Sequence, residues 1–167
     1  MKTLRSTLPV IALLLCAAAA LAAPDAPDAK TSFASLKSLT GTWSGKSSEG
    51  KPVQVSYRLT AGGSALMSEI QGMHEDMITM FHLDGDRLLL THYCASGNQP
   101  RMVATASPDG KVVTFDFLDA TNLPNPETPH MHRLVVTLVD PDHHTEEWDY
   151  TAQGKESKAI FDLQRAK

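Results

Sequence analysis

Val53, Val55, Tyr57 and Leu59 alternate with Gln54, Ser56, Arg58 and Thr60, and turn signals cut the rest of the chain at short, fairly even intervals. Alternation with period two puts one row of side chains on each face of an extended strand, so this segment has a core face and a solvent face. Ala61-Gly62-Gly63 ends it. Asp84-Gly85-Asp86 separates two strands at roughly 76–83 and 87–94, and Pro108-Asp109-Gly110 separates two more at roughly 101–107 and 111–118. His132, Leu134, Val136 and Leu138 share a face of a further strand. Trp148 and Tyr150, then Ala159, Phe161 and Leu163, mark the last two, joined through Gln153-Gly154-Lys155. There is no heptad pattern or internal repeat, and the helix candidate is short, Ser32–Leu39.

About ten short strands predict an all-β fold, and hairpin-length connections favour an antiparallel up-and-down barrel over a sandwich, which needs longer crossings. The exception is 119–130 (DATNLPNPETPH), whose three prolines make it too stiff for a hairpin. It is expected to fold over an open end of the barrel and so to control access.

Residues 1–22 read as an address. Lys2 and Arg5 precede the apolar stretch Leu8–Leu15, and Ala20-Leu21-Ala22 has the small-residue form of a cleavage site. A cleaved signal peptide implies a periplasmic or secreted protein with no membrane span once it is removed. Residues 23–30 (APDAPDAK) then form a flexible leader, and 31–167 the barrel domain. Cleavage takes the formal charge from −4 to −6 and leaves Cys94 as the one cysteine, so no internal disulfide is available. The acidic balance makes nucleic acid an unsuitable partner.

Candidate chemistry centres on 91–102 (THYCASGNQPRM). His92 and Cys94 are two apart and share a strand face with Leu88 and Leu90, which favours the barrel interior. A three-residue turn at 84–86 places Met80 and His82 on that face; a two-residue turn places them on the other. His130 and His132 share a face with Leu134 and Val136 if their strand extends that far back. These five side chains are candidates for one polar patch in an apolar lumen. Imidazole and thiolate suit a transition metal or haem iron, although no fixed-ligand spacing such as C-x-x-C is present. The plainer role is that of hydrogen-bonded core or rim groups. Asn98 marks a turn, and Arg101 opens the next strand, where its planar fork suits a ligand carboxylate. His143-His144, beside Pro141-Asp142, are expected to be solvated. Met67, Met73, Met77, Met80, Met102 and Met131 supply a pliable lining. No nucleophile elbow or glycine-rich phosphate loop is present.

The short helix leads into Leu39-Thr40-Gly41-Thr42-Trp43-Ser44-Gly45, and the last strand carries Arg165 two residues past Leu163. This layout over 31–167 resembles the lipocalin-like (calycin) barrels, and within them it is similar to nitrobindin-like domains and to secreted bacterial domains with the same GTWxG opening. The resemblance implies that Trp43 plugs the closed end, that Arg165 packs over it, and that Gly41 lets the chain turn into the first strand. It implies a cavity for a small hydrophobic or haem-like ligand and implies no activity. The haem histidine of nitrobindin-like domains lies near the C-terminal strands; no histidine follows His144 here, so that ligand does not carry over.

The expected function is therefore a secreted module that binds a small apolar or amphipathic molecule in its lumen, with His82, His92, Cys94, Asn98, Arg101, His130 and His132 at the polar end. The alternative is a haem- or metal-binding protein or enzyme that uses His92, Cys94, His130 and His132.

Overall fold

The computed structural model describes residues 25–72 and 75–167. The segment 1–22 expected to be a signal peptide, the first residues of the expected leader, and Met73 lie outside them.

Helix α1 (Ala29–Lys37) begins where the Asp28 carboxylate accepts a 2.7 Å bond from the Thr31 N–H. That bond holds Asp28 below the usual carboxylate range. The cap starts the helix three residues before Ser32, so Ala29 and Lys30 of the expected leader belong to it. Phe33 and Leu36, three apart, are buried on one face.

Ten strands follow: β1 (Gly41–Ser47), β2 (Pro52–Thr60), β3 (Ala65–Gln71), β4 (Met77–Asp84), β5 (Arg87–Tyr93), β6 (Gln99–Ala106), β7 (Val112–Thr121), β8 (His130–Asp140), β9 (His143–Ala152) and β10 (Lys155–Arg165). Each pairs antiparallel with its sequence neighbours, and β10 returns to pair with β1, so the sheet closes into a barrel with no free edge. The all-β, up-and-down architecture is thus observed.

Val55, Leu66, Phe81, Leu90, Met102, Phe115, Leu134, Val136 and Leu163 fill the interior, one or two from each of β2 to β8 and β10. Helix α1 covers one end, with Phe33, Leu36 and Leu39 joining the same core. There Trp43 is fully buried, its indole N–H donating to the Leu39 carbonyl at 2.7 Å. The Arg165 guanidinium lies over the ring at 4.2 Å and donates to the carbonyls of Ser38, Thr40 and Pro141. Gly41 has a φ of +129°, and a Cβ there would sit 3.2 Å from Arg165 Nη1. At Gly45 the close crossing of β1 and β10 leaves no room for a side chain: a Cβ would lie 1.7 Å from the Asp162 carbonyl oxygen.

Two local features decide which side chains face inward. Asp84 pairs with Arg87, so Gly85-Asp86 forms a two-residue turn with φ of +62° at Gly85. This register turns Phe81 and Thr79 inward and Met80 and His82 outward. In β8 the register slips between Met131 and Arg133, a β-bulge that adds one residue against β9. Leu134 opposite Trp148 still faces inward, but beyond the bulge Met131, opposite Tyr150, takes the inner face.

Candidate functional site: the open mouth and the polar interior

The end opposite α1 is open and holds a cavity of about 390 Å³. Met77, Cys94, Met131, Trp148 and Ala159 give it an apolar floor. Ser96, Tyr150, Ser157 and the acidic Glu49 and Glu75 line its polar side, with the Ser96 and Tyr150 hydroxyls 3.2 Å apart; Lys158 borders it too, its ammonium paired with Glu147 and Asp149. Ala159 pairs with Trp148 across β10 and β9, and its small side chain leaves the space that a larger residue would fill.

Beneath this floor the interior is not purely apolar. Glu146, 1% exposed, accepts hydrogen bonds from the Tyr57 hydroxyl and, at 2.8 Å, from the Trp148 indole N–H. Burial first, and then the Glu146 carboxylate beside it, push the Tyr57 phenol well above its ordinary pKa. His144 Nε2 is 3.5 Å from Glu146, and its ring meets Trp43 edge-on at 4.3 Å. His92 Nδ1 is 2.9 Å from the Thr79 hydroxyl, and its ring lies 4.7 Å from that of Trp148. Its Nε2 is buried with no partner. Burial lowers the His92 pKa to about 4, the Glu146 charge opposing the shift, so the ring is neutral at ordinary pH.

The seven expected ligand residues do not form one patch. His92 and Cys94 do face inward, one in the core and one at the mouth. His82 faces outward because of the two-residue turn, with Nδ1 3.2 Å from the Leu83 carbonyl. The bulge takes His130 and His132 off the inner face: His130 is bound to the Thr128 carbonyl at 2.7 Å, and His132 pairs with Glu156 at 3.1 Å. They line an outer groove of about 360 Å³ with Phe117, Leu123, Pro126 and Thr151. Arg101 makes a two-pronged pair with Asp119 on the exposed face, so its fork is occupied. Asn98 is buried, donating to the Pro129 carbonyl at 2.8 Å and tying the β5–β6 turn to the proline-rich segment. That segment contributes Leu123 and Pro126 to the outer groove and none of the residues that line the mouth. Its expected place over the entrance is thereby corrected.

His144 is a second correction. It is fully buried instead of solvated, because the turn is only Pro141-Asp142 and β9 has begun at His143. His143 instead pairs with Asp162 at 2.9 Å. The methionines divide similarly: Met77 and Met131 line the mouth and Met102 the core, whereas Met67 and Met80 pair across β3 and β4 on the outer face.

Haem requires an axial ligand facing its cavity. Among the described residues no histidine lines the mouth cavity, so the residues present do not fit haem through imidazole. Among those residues, too, no three of His, Cys, Asp and Glu come together as a metal-holding group. No described helix is long and apolar enough to cross a membrane.

No protein-family model and no curated protein matches the chain. The crystal structure of Rv2717c from M. tuberculosis is similar: 18% identical, with a TM-score of 0.55, covering 81% of this chain and 98% of that one. The likeness is one of fold. A closed barrel of this kind is compatible with ligand binding, and the identity is too low to carry a ligand or an activity across.

Proposed function

We propose that the protein is a secreted or periplasmic binding module that takes a small apolar or amphipathic molecule into the open end of its barrel. The observation that carries this reading is the cavity of about 390 Å³ whose floor is Met77, Met131, Trp148 and Ala159. Apolar walls with a few convergent polar groups are the usual form of a small-molecule site. The ligand's polar end is met by the Ser96–Tyr150 hydroxyl pair, in place of the histidines and Arg101. Methionines suit a site that adapts to the shape of its occupant. His92, Glu146 and Tyr57 belong to the structural interior below the site.

The test is a titration with the apolar fluorophore anilinonaphthalene sulfonate, read by its own emission and by energy transfer from Trp148. Saturable uptake of one probe per chain is expected, abolished by Ala159→Trp, which fills the cavity. Uptake unchanged in that variant, with its fold verified by circular dichroism, would overturn the reading.

A further inference from the structure

Three sulfur-bearing side chains, Met77, Cys94 and Met131, line the mouth cavity together. They come from different parts of the chain for separable reasons. The β4–β5 ladder ends at Ile78 opposite Tyr93, and Met77 and Cys94, the residues just beyond it on the two strands, both line the cavity. Met131 reaches that side only because of the β8 bulge, which turns its thioether in and the flanking imidazoles out. Met77 and Cys94 are 8% and 9% exposed, and Met131 is partly buried against the core. Trp148 adds an aromatic ring to the same floor.

We infer that this sulfur set is a binding site for a soft monovalent metal cation, Cu(I) or its analogue Ag(I), with Cys94 Sγ and the Met77 and Met131 thioethers as ligands. Thiolate and thioether are the donors that select Cu(I) over harder cations. On binding, the Cys94 thiol gives its proton to solvent and its sulfur forms the metal bond. The single positive charge and the thiolate then cancel, which an apolar floor requires. The three sulfur-bearing side chains line the cavity whatever organic molecule it also takes, so this inference stands apart from the binding reading.

The experiment is calorimetric titration of the purified protein with Ag(I), which needs no redox control. One Ag(I) per chain is expected, with release of a proton. Met77→Leu and Met131→Leu keep the volume, and each should weaken binding by about ten-fold or more, the loss that even an outer-shell partner causes. Cys94→Ser should weaken it further. Met102→Leu in the core and the Met67→Leu/Met80→Leu pair on the outer face should leave it unchanged. Three results would overturn the inference: no saturable binding, a Met77→Leu/Met131→Leu double variant with wild-type affinity, or a loss caused equally by His92→Gln. Fluorophore uptake measured on the same samples separates the two readings. Uptake without Ag(I) binding removes the metal site alone, and Ag(I) binding without uptake removes the organic ligand alone.

Discussion

The Tyr57 hydroxyl donates to the Glu146 carboxylate inside the barrel, joining two strands whose residues are 89 positions apart. Both side chains are buried, and the Trp148 indole N–H occupies the second carboxylate oxygen. This bond makes a buried acid tolerable beneath an apolar floor.

Glu146→Leu should therefore destabilise the protein by about 2–4 kcal/mol, since it leaves two buried donors without an acceptor. Adding Tyr57→Phe removes one of those donors and should recover part of the loss. A double-mutant cycle by urea denaturation measures the coupling, and additive effects would show that the bond contributes nothing.

At the closed end, Trp43→Ala should cost about 3–5 kcal/mol through the cavity it leaves. Arg165→Ala should cost less, about 0.5–2 kcal/mol, since it removes the cation–π contact and opens the carbonyl contacts to water. Chemical denaturation of the two variants gives the ranking directly, and a costlier Arg165→Ala would reverse it.

The pH dependence follows from His92. Its pKa falls from 6.5 to about 4 on folding, chiefly through burial, so the unfolded chain binds the extra proton first. The stability linked to this group is complete above pH 6.5 and is lost as the pH falls towards 4; the total is about 3 kcal/mol. Urea midpoints measured from pH 7.5 to 4 should decline in the wild type and decline less in His92→Gln. Parallel curves would remove His92 as the source.

Cys94 faces the cavity and is 9% exposed, so a bulky thiol reagent should label native protein slowly and denatured protein fast. Bound fluorophore should slow the native reaction further. Labelling as fast in the native state as in urea would put the thiol on the outside.

The barrel was legible because alternation and turn residues act locally: each hairpin declares itself within a few residues, from Val53 to Leu163. The site was less so, because it depends on parity. One turn residue fewer at Gly85-Asp86 reverses Met80 and His82, and one bulged residue near His132 exchanges two histidines for Met131. Glu146 stands beside Glu147 in the sequence and looks like any solvated acid; only Tyr57 and Trp148, brought in by the closed sheet, identify it as internal. A His-x-Glu-x-Trp alternation at 144, 146 and 148 was the available signal, since Trp148 fixes the inward face of β9. The Pro141-Asp142 turn obscured it by making His144 look like a loop residue.

The central claim is that the open mouth holds the ligand, and amide chemical-shift mapping with the apolar fluorophore tests it most directly. Shifts confined to Met77, Cys94, Ala95, Met131, Tyr150 and Ala159, with Trp43 and Leu39 at the closed end unmoved, are the predicted result. Shifts centred on Phe117, Leu123 and His130 in the outer groove, with the mouth unmoved, would contradict it.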